Sequence, residues 1–146
     1  MKLTLIRHLP TEFNQRNLLR GSIDKSICDI SEENKKLIKD NIIRLKNINF
    51  DLIITSSMKR TIETAKAYGY YDIKISPLSN EINFGSFEGL SRDILINKYK
   101  FEWYNDMKKI PIGEKFDDFV CRVSQFIKTY KEYSNLLIFG HGAFLR

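Results

Sequence analysis

The sequence predicts an α/β fold, a three-layer sandwich with a mostly parallel central sheet flanked by helices. Four short apolar runs are typical of strands and lie at residues 3–6, 52–55, 73–75 and 136–139. Because these runs do not alternate with polar residues, we expect strands that are covered on both faces. The segments between them show helical patterns, and 146 residues with 42% apolar content suit a single domain over residues 1–146.

The clearest helical pattern covers about residues 115 to 133. Its apolar residues recur at three- and four-residue steps and predict one continuous face, formed by Phe116, Phe119, Val120, Val123, Phe126, Ile127 and Tyr130. Cys121 lies within this pattern, where a buried thiol is the usual occupant. Cys121 and Cys28 lack the spacing of metal ligands, so we expect reduced structural cysteines.

Two further helices and a long loop are predicted earlier in the chain. Ser31 is the predicted N-cap of a helix that ends near Asn47, because the two glutamates after Ser31 favour a helix start. The apolar face of that helix consists of Leu37, Ile38, Ile42 and Leu45. A third helix begins near Ser57. Residues 76–89 contain one proline and two glycines with few regular repeats, which predicts a loop that could border a site.

The charge and hydropathy patterns exclude several classes of partner. The formal net charge of +6 favours anionic ligands without identifying them. Basic residues are scattered among acidic ones instead of forming a block, which indicates a solvated surface and no nucleic-acid partner. No apolar run approaches the roughly 20 residues needed to span a bilayer, and the first residues lack the pattern of a secretory signal. We therefore expect a cytoplasmic protein with no membrane partner.

The chain contains two histidines, and each follows an apolar strand. His8 lies in LTLIRHLP and His141 in LLIFGHG. Because neighbouring parallel strands end at the same edge of a sheet, both histidines could converge at the carboxyl edge, where open α/β sheets bind ligands. A single histidine at a strand end is more often a structural residue. The pair, with Arg7 directly before His8, favours a functional site.

A third strand continues into SSMKRTIETAKAYG, which places Arg60 in the first turn of the helix that leaves the same edge. The forked guanidinium groups of Arg7 and Arg60 could donate to phosphate oxygens. Either arginine alone would more often lie at the surface. Together with the two histidines, they predict a pocket for a phosphorylated small molecule.

Further motifs extend this pattern in a constant order along nearly the whole chain. Arg7 and His8 are followed by Thr11 and Asn14, and Gly21 is followed by Asp24. The later motifs are Ser56, Arg60, Thr64 and Ala65, then Gly113, Glu114, Arg122 and Val123, and finally Gly140, His141 and Gly142. With these motifs the sequence resembles the histidine phosphatase superfamily, whose fold is called phosphoglycerate mutase-like.

The resemblance implies a role for each matching residue. His8 would be the nucleophile, and Arg7, Arg60 and His141 would bind the phosphoryl group with Asn14 at its edge. Glu81, which opens EINFGSFEG, would be the general acid. Glu88 is the competing carboxylate, and the implied substrate-binding set contains Arg7, Asn14, Gly21, Arg60 and Glu88.

The chemistry of these residue types agrees with the resemblance. A neutral imidazole nitrogen can attack phosphorus, and nearby positive charge lowers the pKa of a histidine and keeps it neutral. Two arginines and a second histidine can stabilise the transferred group without a metal or another cofactor. The like charge of a bound phosphate favours the protonated form of a neighbouring carboxyl group, which suits Glu81 as an acid.

Several positions depart from the family pattern. Leu9 replaces the glycine after the nucleophile, so it must adopt allowed backbone angles or reshape the mouth of the pocket. Pro10 replaces a glutamate or glutamine, and Ala143 replaces a second glycine after His141. The sequence stops at Arg146, where family members usually continue. We therefore expect a C-terminal truncation, whose open apolar surface would favour a homodimer.

Within the family, EINFGSFEG and residues 111–114 resemble the cobalamin-pathway phosphatases that act on α-ribazole 5'-phosphate. The chain lacks the long insertion that phosphoglycerate mutases carry after the Glu81 region. This favours hydrolysis of a small phosphorylated metabolite through a phosphohistidine on His8. Two alternatives stay open, a mutase-type phosphoryl transferase and a non-catalytic protein that binds a phosphorylated ligand.

Overall fold

A sheet of four parallel strands forms the centre of the computed structural model, which describes all residues from Met1 to Arg146. The strands are β1 (Lys2–Arg7), β2 (Leu52–Thr55), β3 (Lys74–Ile75) and β4 (Asn135–Gly140), in the spatial order β1-β4-β2-β3. Each neighbouring pair is parallel. The strands lie where the apolar runs predicted them, and the predicted α/β class is confirmed.

Six α-helices connect or follow the strands. They are α1 (Glu12–Gln15), α2 (Glu32–Leu45), α3 (Lys59–Ala67), α4 (Arg92–Lys98), α5 (Lys100–Asn105) and α6 (Phe116–Tyr130). The three predicted helices are α2, α3 and α6, and Ser31 caps α2 by accepting a hydrogen bond from the Asn34 amide. The predicted loop contains only two short 3-10 turns, Pro77–Ser79 and Gly85–Phe87. None of the helices combines the length and hydropathy that a membrane crossing requires.

The central strand β4 is covered on both faces, which makes the fold three-layered. Leu137 and Phe139 point to one face and pack with Leu9, Ile38, Leu45, Ala65 and Tyr68, which come from the loop after β1 and from the α2–α3 side. Leu136 and Ile138 point to the other face and pack with Ile54, Phe126 and Tyr130. The two-residue alternation of a strand produces this division. Each of these four β4 side chains is at most 1% exposed, which explains the unbroken apolar run.

The apolar face of α2 is narrower than predicted. Ile38 and Leu45 are buried, but Leu37 is 50% and Ile42 is 40% exposed. Between the two buried positions, the Asn41 amide donates to the Tyr68 hydroxyl at 2.9 Å. The packed face of α2 therefore includes a polar contact with the end of α3. Leu37 and Ile42 lie outside this face.

The prediction that Cys121 is a buried thiol is wrong. Cys121 is exposed, and Val120 on the same helix is 45% exposed. Phe119 and Phe126 define the buried face of α6, and a residue two positions after Phe119 lies about 200° further around the helix. Cys28 is half-buried.

A third apolar cluster lies beside the sheet and supports the loop after β3. It contains Leu19, Ile82, Phe84, Phe87, Leu95, Ile110 and Phe119. These residues come from the loop after α1, from the 76–89 loop, from α4, from the segment between α5 and α6, and from α6. The cluster therefore holds the loop that carries Glu81 against the rest of the molecule.

Candidate active site

The two histidines lie next to each other at the carboxyl edge of the sheet. Arg7 at the end of β1 is paired with Gly140 at the end of β4, and each histidine is the next residue. The His8 amide donates to the Gly140 carbonyl at 3.0 Å, and the centres of the two imidazole rings are 5.4 Å apart. The convergence predicted from parallel pairing is confirmed.

The His8 ring has a defined tautomer and is neutral. Its Nδ1 lies 2.7 Å from the Leu9 carbonyl oxygen, which can only accept, so Nδ1 carries the proton and Nε2 keeps a free lone pair. Burial, and then the charges of Arg60, Arg7 and Arg20, lower the pKa of His8 to about 3, although the bond to Leu9 opposes them. Near neutral pH, Nε2 can therefore act as a nucleophile.

His141 holds Arg60 in place. Arg60 Nε donates to His141 Nδ1 at 3.1 Å, so Nε2 of His141 carries the proton and donates to Ser56 Oγ at 2.8 Å. His141 is fully buried, and burial together with the Arg60 charge lowers its pKa. The resemblance implied a direct contact between His141 and the phosphoryl group. In the structure both ring nitrogens already have partners, and the ring acts on Arg60.

Ser56 belongs to the same buried network, and its role was not predicted. Its hydroxyl lies 2.8 Å from Thr61 Oγ1 and accepts from the Met58 amide at 3.2 Å. The available signal was that Ser56 belongs to the same family motif as Arg60. The serine thus connects the turn before α3 to the histidine at the end of β4.

The guanidinium of Arg60 is bound to the backbone of the loop after α1. Nη2 donates to the Gly21 carbonyl at 2.9 Å and Nη1 to the Ile23 carbonyl at 3.1 Å. Arg60 is 1% exposed, and burial followed by the charge of Arg20 lowers its pKa to about 10, so it stays cationic at neutral pH.

Gly21 is required for this arrangement, and its contribution to the site is its backbone. It has a φ of +49°, which L side chains rarely adopt, and an added Cβ would lie 2.9 Å from both the Ile82 carbonyl and the Phe84 amide. The close approach of two loops leaves no room for a side chain. Gly21 therefore positions the carbonyl that Arg60 uses.

The carboxylate of Glu81 reaches the segment after His141. The Ala143 amide donates to Glu81 Oε1 at 3.1 Å, so the position that replaces a family glycine supplies a backbone donor. Arg122 holds the loop behind Glu81 by donating to the Leu78 and Asn80 carbonyls at 2.9 and 2.8 Å. Arg122 is itself fixed by an ion pair with Glu114 at 2.9 Å.

The resemblance implied that Glu88 binds the substrate, but in the structure its carboxylate binds backbone amides instead. Its carboxylate accepts from the Ser22 amide at 2.7 Å and from the Phe84 amide at 3.0 Å, and it is not part of the cavity wall. These bonds connect the loop that carries Gly21 to the loop that carries Glu81. Glu88 therefore orders the two loops and leaves Glu81 as the carboxylate that faces the cavity.

Leu9 does not obstruct the site. Asn17 is the only non-glycine residue with a positive φ, so Leu9 adopts an ordinary backbone conformation. Its side chain is 6% exposed and packs into the core beneath α2 and α3, while its amide donates to Thr64 Oγ1 at 2.9 Å. Pro10 is exposed beyond it. The first of the two alternatives stated for Leu9 therefore holds, since Leu9 adopts allowed backbone angles.

A cavity of about 660 Å³ opens beside these residues and is lined by both polar and apolar side chains. The polar residues of its wall include Arg7, Asn14, Arg20, Arg60, Glu81, Arg92 and Arg146. The apolar residues include Trp103, Met107, Phe116, Phe119, Val123 and Phe144. His8 and His141 are buried next to this wall, since His8 directly follows Arg7 and His141 accepts from Arg60. No three His, Cys, Asp or Glu side chains converge in an arrangement that could hold a metal ion.

Arg20 and Trp103 are cavity residues that the sequence did not single out. Arg20 is buried although it precedes Gly21 in a loop, and no periodic pattern there signals burial. Trp103 lies on the short helix α5, with the Arg92 guanidinium 5.6 Å from its ring centroid. The available signals were the position of Arg20 next to a motif glycine and the presence of a single tryptophan.

We predict that neither histidine titrates between about pH 5 and 8, because burial and arginine charge lower both pKa values. With only two histidines, their imidazole resonances can be followed directly by NMR. The urea-unfolded chain provides the control and should titrate near pH 6.5. A midpoint near 6.5 for either folded-state resonance would contradict the neutral, buried pair.

Comparisons with known proteins agree with this geometry. The model of the histidine phosphatase superfamily (branch 1) matches residues 3–146. An α-ribazole phosphatase from Shigella flexneri has a similar structure, with a TM-score of 0.77 and 28% identity, over 99% of this chain and 76% of that one.

Two longer relatives are similar over part of their length. A human 6-phosphofructo-2-kinase/fructose-2,6-bisphosphatase 4 is 31% identical over 97% of this chain, which spans 30% of that protein. A 2,3-bisphosphoglycerate-dependent phosphoglycerate mutase from Buchnera aphidicola is 29% identical over 80% of this chain and 55% of its own length. The family match extends over nearly all residues, and the prediction of a histidine phosphatase is confirmed at the level of the family. The chain therefore belongs to branch 1 of the histidine phosphatase superfamily.

Proposed function

We propose that the protein hydrolyses phosphate monoesters through a phosphohistidine intermediate on His8. The observation that carries this proposal is the state of the His8 ring. Its Nδ1 proton is bound to the Leu9 carbonyl, and its Nε2 lone pair is free beside the arginines of the cavity. A neutral, oriented imidazole among cationic donors is what nucleophilic attack on a phosphoryl group requires.

In the first step, His8 Nε2 attacks the phosphorus atom and the bond from phosphorus to the ester oxygen breaks. Arg7 and Arg60 stabilise the charge on the phosphoryl oxygens. The leaving alkoxide takes a proton from the Glu81 carboxyl group, which the Ala143 amide holds at the cavity wall. The products of this step are the free alcohol, phosphohistidine and the Glu81 carboxylate.

In the second step, water attacks the phosphohistidine and the bond from phosphorus to Nε2 breaks. Glu81 accepts a proton from the attacking water and so returns to its acid form. Inorganic phosphate leaves, and His8 is again neutral with its proton on Nδ1. His141 acts throughout by holding Arg60, since both of its ring nitrogens are bound within the protein.

The substrate that we propose is α-ribazole 5'-phosphate. The cavity wall combines arginines with apolar, aromatic side chains, which include Trp103, Phe116 and Phe119. A phosphate ester whose alcohol carries a bulky aromatic base suits both kinds of side chain. The structurally similar Shigella flexneri protein, which is named an α-ribazole phosphatase, supports the same choice.

Two alternative functions have less support. A non-catalytic binder was suggested by Leu9, but this side chain packs into the core, away from the cavity wall. A mutase-type phosphoryl transferase is suggested by the similarity to the Buchnera aphidicola protein. The arginines of the cavity wall suit the small, strongly anionic substrate of a mutase, but such a substrate would leave the aromatic residues Trp103, Phe116 and Phe119 without a partner.

Acid and alkaline quenching of the enzyme with labelled substrate should reveal a phosphoryl adduct on His8. We expect this adduct to be labile in acid and stable in base, unlike phosphoserine, and to be absent from the His8→Ala variant. Turnover of an aryl phosphate with a chelator present should be lost in the same variant. Mapping of the adduct to Ser56 or Ser57 would remove His8 as the nucleophile.

The substrate proposal predicts the order of kcat/KM values in a panel of phosphate monoesters. α-Ribazole 5'-phosphate should exceed 3-phosphoglycerate by at least about tenfold, because burial of an apolar group discriminates by about 10- to 200-fold. Phosphate release measured for both esters, with and without added bisphosphoglycerate, checks this expectation. Preference for 3-phosphoglycerate, or its isomerisation without release of phosphate, would favour the mutase.

The Glu81→Gln variant should lose most activity on esters whose leaving group must be protonated. General acid catalysis contributes about 10²- to 10⁴-fold, so alkyl phosphates should slow by that order. An activated aryl phosphate should slow much less, and phosphohistidine should still form. Initial rates on an alkyl and an aryl ester check both expectations.

Glu88→Gln is the control, because Glu88 orders the two loops but does not line the cavity. It should affect both classes of ester alike. A selective loss on alkyl esters in the Glu88 variant, with the Glu81 variant unchanged, would assign the acid to Glu88.

A further inference from the structure

Arg20 has an unusual environment for an arginine in the interior. It is 6% exposed, and its Nη1 group is buried without any hydrogen-bond partner. Its other donors bind only backbone, with Nε on the Ile23 carbonyl at 3.0 Å and Nη2 on the Lys25 carbonyl. Buried guanidinium groups normally find partners for all their donors, because an unpaired one is costly.

The nearby carboxylates form no hydrogen bond or ion pair with Arg20, although the charges of Asp24 and Glu63 partly oppose the burial that lowers its pKa. Asp24 accepts from the Lys59 amide at 2.9 Å, and Glu63 accepts from the Ile27 amide at 2.8 Å. None of the six ion pairs of the structure involves Arg20, and none involves Arg7 or Arg60. Arg92 and Arg146 also line the cavity and form no ion pair, so none of its five arginines has a carboxylate partner.

Arg20 and Arg60 are also held side by side. Arg20 Nε and Arg60 Nη1 both donate to the Ile23 carbonyl oxygen, at 3.0 and 3.1 Å. The two like charges repel each other, and the charge of Arg20 is one of the causes, after burial, that lower the pKa of Arg60. Such a pair is stabilised when an anion binds between or beside its members.

We propose that Arg20 is a third arginine of the phosphoryl site and that its guanidinium donates to an oxygen of the transferred phosphoryl group. The inference rests on the proposed function for the identity of that group. Arg20 lies in the cavity wall with Arg7 and Arg60, and its charge acts on both His8 and His141. A phosphoryl group in transfer carries charge on three oxygens, which three guanidinium groups can share.

Calorimetric titration of the full chain with inorganic phosphate tests this role without requiring turnover. Arg20→Gln should weaken phosphate binding by about 10- to 100-fold, which is the usual value of a charge-assisted hydrogen bond. Arg44→Gln removes the same charge from the exposed end of α2 and should leave the dissociation constant within twofold. An Arg20→Gln dissociation constant equal to that of the unchanged protein would overturn the proposal, even if the variant unfolds at a lower temperature.

Arg20→Lys gives a second test if the glutamine variant does not fold. Lysine keeps the charge but has no fork with which to bind the backbone and phosphate together, so phosphate should bind about 3- to 10-fold more weakly. Unchanged phosphate affinity in a folded Arg20→Lys variant would overturn the proposal. If the unchanged protein binds phosphate but does not hydrolyse phosphate esters, the proposed function is contradicted and the role of Arg20 is not. If the Arg20 variants keep full turnover and full phosphate affinity, only the role of Arg20 is contradicted.

Discussion

The hydrogen bond from Arg60 to His141 is the interaction on which the rest of the site depends. It connects the first turn of α3 to the end of β4, and the same guanidinium reaches the Gly21 and Ile23 carbonyls of the loop after α1. Three separate parts of the chain are thereby fixed around one buried cation. Because a buried charge without partners is strongly unfavourable, the positions of these parts are coupled to one another.

The coupling extends to the two loops that border the cavity. Gly21 can approach the Glu81 loop only because it lacks a side chain, and Glu88 bonds to backbone amides on both sides of that contact. Arg122 fixes the opposite end of the Glu81 loop to α6. The proposed general acid is thus held from two directions by residues that do not themselves face the cavity. This division separates the residues that order the site from those that would contact a substrate.

Much of this arrangement follows from sequence, and the remainder depends on tertiary contacts. The positions of His8 and His141 were predictable, because parallel strands end at one edge and each histidine follows a strand. Arg60 was predictable from its place in the first turn of α3. Arg20 was not, because its burial depends on how an irregular loop folds over Arg60. The exposure of Cys121 was also predictable, because helical spacing places it about 200° from Phe119 on α6.

The two histidines illustrate how different hydrogen-bond partners give different functions to the same residue type. Both are neutral, but the Leu9 carbonyl leaves Nε2 of His8 free, whereas Arg60 and Ser56 occupy both nitrogens of His141. The histidines and the arginines without carboxylate partners together form a site with excess positive charge, whose repulsion opposes folding unless an anion binds. Any anion that binds only the folded state stabilises it by mass action. Repulsion among these arginines and affinity for a phosphorylated ligand therefore have one electrostatic origin.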